Sequence, residues 1–144
     1  MEKLIIREAE KDDIPRMAIL CSQLGYPIKM EDLTVRLNEI QHLGHHIVLV
    51  AELDQFVIGW LHAYLCPLLI TGSQTQLGGM VVDEKFRSLG VGKELLFHAE
   101  SWAGTQGCQF LTVFSNVTRR RTHAFYIQLD YRNIKTELVL QKEL

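Results

Sequence analysis

Short apolar runs and helix-like patterns alternate along this chain. Runs of β type predict strands at residues 4–6, 47–52, 56–65, 74–82 and 109–115. Apolar residues at helical spacing predict helices at residues 14–24, 31–42, 91–105 and 123–129, the last begun near Thr118. Two further β-type runs predict closing strands at residues 131–134 and 137–140. This order favours the α/β class, in an α+β arrangement with a mixed sheet.

Capping and turn residues mark the ends of these elements. Asp12 or Asp13 can cap the first helix, which has Pro15 in its first turn and Gly25 just after its end. Residues 54–55 predict a tight turn between two strands of a hairpin. Because the sequence contains no repeat, low-complexity segment or linker, its 144 residues predict a single domain over residues 1–144.

Composition and charge narrow the class of protein. Hydrophobic residues make up 47% and charged residues 22%, as in ordinary soluble domains. With a formal net charge of −2 there is no basic field, so we expect neither nucleic acid nor membrane as partner. The charged N-terminus is unlike a signal peptide, and no apolar run approaches the ~20 residues of a membrane span. Three widely spaced cysteines indicate reduced thiols and a cytoplasmic location.

Residues 80–93 combine a strand, a glycine-bearing turn and the start of a helix. The strand ends with Met80-Val81-Val82, and Arg87-Ser88-Leu89-Gly90-Val91-Gly92 leads into the helix. The unpaired N–H groups and dipole of a helix start bind anions, which predicts a phosphate cradle for a nucleotide-type cofactor. A P-loop is excluded because Arg87 replaces its first glycine and Glu94 its Ser/Thr. A Rossmann fingerprint is excluded because only two of its glycines are present.

A second block of residues follows this cradle. It reads Ser115-Asn116-Val117, then Arg119, then His123-Ala124-Phe125-Tyr126, then Tyr131. Together with the cradle, it resembles the GNAT superfamily of acyl-CoA-dependent N-acetyltransferases over nearly the whole chain. The segment from Ser115 to Tyr126 is also similar to small-amine acetyltransferases such as the aminoalkylphosphonate-acetylating enzymes. The resemblance implies a GNAT fold: a central, mostly antiparallel twisted sheet of six to seven strands, about four helices, and a splay between the fourth and fifth strands.

The resemblance also implies acetyl-CoA, or coenzyme A, as the cofactor. Its pyrophosphate would lie on the N–H groups of residues 88–93, and its pantetheine arm along residues 80–82. The N–H of Val81 or its neighbour would then stabilise the oxyanion. The implied cofactor-binding residues are Met80, Val81, Val82, Arg87, Ser88, Leu89, Gly90, Val91, Gly92, Lys93, Asn116, Arg119, Phe125 and Tyr126.

The catalytic residue that the resemblance implies is Tyr126, a general acid for the departing thiolate. A phenol near pKa 10 giving its proton to a thiolate near 8.5 works uphill by about 1.5 units, or roughly 2 kcal/mol, which a positioned hydrogen bond could cover. Many relatives carry Glu or Asp where this chain has Gly78 and Gly79. Of the remaining candidates, His62, Tyr64 and Glu52, none is assigned as the base, and an acceptor of low pKa needs none.

Two charged groups have plain interpretations. His42, His45 and His46 lie near a helix end without a nearby cysteine or acidic partner, so we interpret them as a surface loop and expect no metal. The Arg119–Arg121 run opposes the dipole of its helix, and Arg120 and Arg121 are interpreted as solvated charges.

Asp130 stands where relatives usually have glycine, and Asp tolerates the left-handed conformation that the turn needs.

The acceptor stays open. By position, the residues expected to line its pocket are Leu24, Tyr26, His62 and Tyr64. We expect a small-molecule primary amine that attacks the thioester directly; peptide, aminoglycoside, polyamine and aminophosphonate acceptors all remain. The alternatives are a protein N-acetyltransferase, an acyl-CoA-binding module without turnover, and a nucleic-acid-binding domain that uses the Arg119–Arg121 run. A homodimer is common in the family, but no interface is evident in the sequence.

Overall fold

A computed structural model describes residues 3–144, which divide into two compact units, one ending at Val113 and the other Phe114–Leu144. The single domain over residues 1–144 stays a prediction, and residues 1 and 2 lie outside the described part. The elements of the first unit are β1 (Leu4–Glu8), α1 (Ile14–Leu24), α2 (Met30–His42), β2 (His46–Leu53), β3 (Phe56–Leu68), β4 (Gly72–Val82), α3 (Val91–Thr105) and β5 (Leu111–Val113). The second unit contains α4 (Arg120–Gln128).

The five strands form one mixed sheet in the order β1-β2-β3-β4-β5. The pairs β1–β2, β2–β3 and β3–β4 are antiparallel, and the pair β4–β5 is parallel. The β4–β5 ladder contains only Thr75–Leu77 and Leu111–Val113. Within the described part of the first unit, residues 79–82 of β4 therefore pair with β3 alone, which agrees with the predicted splay of β4 and β5.

Helices α1 and α2 cover one face of the sheet. Their apolar residues recur at helical spacing and meet every second residue of β2 and β3. The buried cluster on this face consists of Ala9, Ile14, Met17, Leu20, Leu37, Val48, Val50, Val57 and Val81. Trp60, Leu24, Leu33 and Ile40 pack around it.

Helix α3 covers the opposite face. A Cβ built on Gly59 would lie 3.3 Å from Cδ1 of Leu95 in α3, whereas the adjacent Trp60 packs against the α1–α2 cluster. Consecutive residues of a strand point to opposite faces, so α3 lies across the sheet from α1 and α2. The buried stripe of α3 is Val91, Leu95, Leu96, Ala99 and Ala103.

An ion pair joins α1 to the end of β4. Arg16 donates from Nη2 to Oδ2 of the buried Asp83 at 2.7 Å and from Nε to the carbonyl of Val57 at 3.0 Å. Burial alone would raise the pKa of Asp83, but the N–H of Lys85 and the guanidinium of Arg16 outweigh it and lower the pKa. Asp83 thus fixes the first residue after β4, from which the chain turns toward α3.

The predicted helices and the hairpin are confirmed. Helix α3 has the predicted bounds, and α1 ends before Gly25, whose φ of +97° is the left-handed conformation of a C-terminal cap. Asp54 and Gln55 both have positive φ, as a two-residue hairpin turn requires. Among residues 3–144, no helix is long and apolar enough to cross a membrane.

The prediction of six to seven strands is wrong. Residues 131–134 and 137–140 form no strand, and the sheet has five strands in the part of the chain described. Apart from the half-buried Tyr131 their side chains are exposed, with Leu138 at 87% and Val139 at 90%. A β-prone run becomes a strand only when another strand supplies backbone partners, and residues 114–144 contain none.

We expect Arg16→Met to lower the free energy of unfolding by about 3 kcal/mol at pH 7, because it leaves a buried carboxylate without its cation. Urea denaturation measures the change, and Arg36→Met, on the exposed side of α2, serves as the control, expected within about 0.5 kcal/mol of wild type.

The same pair gives a pH dependence with a defined sign. The folded-state pKa of Asp83 is lowered, so its contribution is complete above the unfolded pKa of about 4 and is lost as pH falls through the folded value. The difference between wild type and Arg16→Met should therefore shrink as pH falls below about 4. An undiminished difference well below that pH would contradict the pairing.

Candidate active site

The segment between β4 and α3 has the backbone of an anion cradle. After a 3₁₀ turn at Glu84–Phe86, Ser88 and Gly90 take positive φ values of 66° and 83°, and α3 begins at Val91. Arg87, Ser88, Leu89 and Gly90 are all exposed. The turn that leads into α3 is therefore open to solvent, and the first N–H groups of the helix, which lack intrahelical partners, can bind an anion there.

Gly90 and Val91 show how this cradle is built. No atom lies within 4 Å of a Cβ placed on Gly90, so the space before the helix is open, and its positive φ favours glycine. Val91 is buried in the α3 stripe, so its side chain anchors the helix and only its N–H is available to a ligand. Lys93 is exposed in the same first turn of α3, and Arg87 donates from Nε to the carbonyl of Val82 at 3.3 Å.

The strand that leads into the cradle offers its backbone more than its side chains. Val81 is buried in the α1–α2 cluster, while Met80 and Val82 are half-buried. Within the first unit this stretch lies beyond the last β4–β5 pair, so one edge of its backbone has no β5 partner. An extended ligand with amide groups could pair with that edge as an added strand.

His62 and Tyr64 lie together on the α1–α2 face, and His46 at the start of β2 joins them. Ring centroids are 5.2 Å apart for His46 and His62, 5.2 Å for His46 and Tyr64, and 5.6 Å for His62 and Tyr64. Nδ1 of His46 lies 2.9 Å from Nε2 of His62. Burial, and secondly the nearby His46, lower the pKa of His62 to about 4, so its imidazole is neutral near pH 7.

The other residues predicted by position are placed differently. Leu24 packs at the edge of the α1–α2 cluster, and Tyr26 is exposed just after α1. Glu52, one candidate base, accepts two hydrogen bonds from Arg7, at 3.1 and 3.3 Å, and Arg7 also holds the buried Asp13. This ion-pair network gives Glu52 a structural partner and argues against its use as a base.

The second unit gathers the later block around α4. Asn116 caps the turn before the helix: its Oδ1 accepts from the N–H and hydroxyl of Thr118, and its carbonyl lies 2.9 Å from Nε2 of His123. Tyr126 is buried and makes edge contacts with the rings of Phe125 and Tyr131, with centroids 5.2 and 5.4 Å away. Burial raises the pKa of Tyr126 to about 12, so the phenol stays protonated across the physiological range.

The start and end of α4 also bear on the predictions. Arg119 precedes the helix, Arg120 and Arg121 open it, and all three are exposed. Asp130 has a φ of 69°, so it adopts the left-handed conformation expected in place of glycine.

Comparison with known proteins identifies the family. Residues 11–131 match the model of the acetyltransferase (GNAT) family. The chain belongs to this family. It is therefore an enzyme that transfers acetyl groups, and acetyl-CoA is the cofactor of this family. No curated protein sequence matches the chain significantly.

Several solved structures share the fold of this chain. Aminoglycoside N-acetyltransferase AAC(6')-Iy in complex with CoA has a TM-score of 0.90 at 20% identity, over 100% of this chain and 97% of that one. Glucosamine-6-phosphate N-acetyltransferase from Arabidopsis thaliana has 0.83 at 19%, over 98% and 99%. A transcriptional regulator from Bacillus halodurans C-125 has 0.87 at 21%, over 97% and 100%. At these identities the likeness establishes the fold alone.

The residues present fit acetyl-CoA in two respects. The open, exposed turn before α3 suits a pyrophosphate, and the free edge of residues 80–82 suits an amide-bearing arm. The roles of individual residues, including Asn116, Arg119 and Phe125, stay predictions. In residues 3–144, no group of three or more His, Cys, Asp or Glu side chains could hold a metal ion.

The sequence alone did not reveal that His46 belongs to a strand. It was assigned with His42 and His45 to a surface loop, but β2 begins at His46 and pairs it with Tyr64. The signal that could have found it is the alternation of the strand: His46 is two residues before Val48 and so shares its face.

We expect Gly90→Ala to weaken CoA binding about tenfold, because the left-handed conformation is costly for a residue with a Cβ, by about 1–2 kcal/mol. Gly104→Ala, near the end of the same helix, is the matched control, since it has open space and no positive φ. Titration calorimetry with CoA measures both. Equal affinities for the two variants would show that the cradle does not depend on this turn.

Proposed function

We propose that this family member transfers the acetyl group of acetyl-CoA to a primary amine of a small molecule by direct attack on the thioester. The observation that carries the proposal is one continuous feature: the edge of β4 that has no β5 partner in the described part of the first unit, running into the exposed turn at Gly90. Anion site and strand edge follow each other in the order in which pyrophosphate and pantetheine follow each other in coenzyme A.

That order gives the cofactor a direction. With its phosphates at the start of α3, an arm laid along β4 passes Val82 first and reaches Met80 last. The thioester therefore lies toward the Gly79 end of the strand. There the N–H of Val81 or its neighbour is the proposed donor to the oxyanion.

Tyr126 is the proposed acid for the departing thiolate, a role that the resemblance implies and its buried phenol supports. With a pKa of about 12, full proton transfer to a thiolate near 8.5 is uphill by about 3.5 units, or roughly 5 kcal/mol. A hydrogen bond that strengthens as charge develops on sulfur avoids that full transfer. The phenol then acts chiefly as a donor, and solvent completes the protonation.

An amino sugar is the favoured class of acceptor. Two proteins of the same fold are named for acetylating an aminoglycoside and glucosamine-6-phosphate. In this chain the His62–Tyr64 face offers aromatic and imidazole groups next to β4, and Leu24 and Tyr26 at the end of α1 are the further pocket candidates. Protein acetylation, and acyl-CoA binding without turnover, are the alternatives that the assay below separates. The proposed location is the cytoplasm, and homodimerisation stays a prediction.

We expect the wild-type protein to release CoA from acetyl-CoA in an amine-dependent manner. A thiol-detecting assay is run with neamine, glucosamine-6-phosphate, spermidine, 2-aminoethylphosphonate and a lysine peptide. Turnover with an amino sugar supports the proposal, whereas turnover with the peptide alone selects the protein-acetylating alternative. Tight CoA binding without release for any amine would refute the enzyme proposal.

We expect Tyr126→Phe to lower kcat by about 10²-fold with little change in the KM for acetyl-CoA, because the hydroxyl acts on the leaving group only in the transition state. Tyr131→Phe removes a hydroxyl from the same aromatic cluster and is the control. Because the pKa of Tyr126 is raised, wild-type activity should show no loss from its ionisation below about pH 10. Equal effects of the two variants would contradict the role of Tyr126.

A further inference from the structure

The His46–His62 pair stands at the point where acetyl transfer needs a base. His62 is paired with Gly79 in the β3–β4 ladder, next to the residues along which the pantetheine arm is proposed to end. Most primary amines are protonated near pH 7 and attack only in the small fraction that is neutral; once bonded to the carbonyl carbon, the nitrogen must lose one further proton. Gly78 and Gly79 carry no side chain that could take it.

The ring of His62 occupies the space that a side chain at residue 78 would need. A Cβ built on Gly78 would lie 2.5 Å from Nδ1 of His62 and 3.0 Å from its Cε1. The ladder passes from His62–Gly79 to Ala63–Leu77, so Gly78 is the extra residue of a bulge, and it is exposed. Nδ1 of His62 therefore faces an exposed point of β4, and no hydrogen bond to it is found among residues 3–144.

The second ring nitrogen of His62, Nε2, contacts His46. Nε2 lies 2.9 Å from Nδ1 of His46, and the two rings are stacked within 13° of parallel. His46 lines a cavity of about 350 Å³ together with Glu8, Glu10 and Gln41. A proton that enters at Nδ1 of His62 can thus leave through His46 toward this cavity.

We propose that His62 accepts the proton of the attacking amine and that His46 relays it to solvent, an inference that rests on the acetyl-transfer function proposed above. The amine nitrogen forms its bond to the carbonyl carbon, the carbon–sulfur bond breaks, and the sulfur leaves as a thiolate that is then protonated. The amine proton moves to Nδ1 of His62 while the proton on Nε2 passes to Nδ1 of His46. This relay uses the tautomer in which Nε2 of His62 is the donor.

The low pKa of His62 agrees with a relay rather than with a stored charge. A neutral ring keeps a lone pair available near pH 7, and the positive charge passes to His46, which is less buried than His62 and borders the cavity. The titratable groups next to the pair are His45 and Tyr64, and Glu10 lines the same cavity as His46. His62 is thus the proposed catalytic residue, and His46 acts through it.

The decisive experiment removes the imidazole ring of His62 by mutation and supplies free imidazole in solution. With acetyl-CoA and the amine from the panel that the wild type uses best, His62→Ala should lower kcat about 10²-fold and leave the Kd for CoA within about twofold. Free imidazole should restore part of the rate in His62→Ala but none in Tyr126→Phe. Across substituted imidazoles, the restored rate should rise with the pKa of the added base.

Further variants keep the test valid if His62→Ala does not fold. His62→Gln retains volume and hydrogen bonding but cannot carry a proton, so it should lose kcat similarly, whereas His46→Asn, which keeps the ring of His62, should lose only about tenfold. His42→Gln, an exposed histidine at the end of α2, is the control. A folded His62→Gln with kcat within about threefold of wild type, or a His62→Ala that binds CoA but ignores imidazole, overturns the proposal. A wild type inactive with every amine instead overturns the acetyl-transfer function, and this inference with it.

Discussion

The ion pair between Arg16 and Asp83 is the contact on which the geometry of the site depends. It joins α1 to the residue that follows β4, and the hydrogen bond from Arg16 to the carbonyl of Val57 joins α1 to β3 as well. Asp83 in turn accepts the N–H of Lys85 and so fixes the turn that leads to Gly90. One buried carboxylate therefore positions the strand edge and the anion cradle relative to each other.

This arrangement explains why the cradle can be open and yet defined. Its residues 87–90 are exposed and contribute little to packing, so they cannot hold their own backbone in place. The order comes from both sides: Asp83 anchors the entry, and the buried stripe of α3, beginning at Val91, anchors the exit. Exposed N–H groups suit anion binding only if they are held in this way, because a mobile turn would lose entropy on binding.

The sequence was most informative where local chemistry decides the structure. Helix α3 follows from its apolar period and its glycines, and the turn at residues 54–55 from its position between two strands, so both were predicted. The prediction of two closing strands was wrong because an apolar run such as residues 137–140 does not specify its pairing partner. His46 was missed because the meeting of its ring with His62 depends on the β2–β3 register, which one strand read alone does not contain.

The absence of a carboxylate at residue 78 and the position of the His62 ring have one steric cause, because both groups would need the same space. With any side chain at residue 78, Nδ1 of His62 could not stay where it is, and the 2.9 Å contact with His46 would have to change. Conversely, the ring of His62 fills the place that such a side chain would take. A strand position with room for only one of these groups can carry a carboxylate or admit an imidazole from its neighbour. In this chain glycine at residue 78 leaves that place to the imidazole, so the proposed base lies on β3, with its relay on β2, rather than on β4.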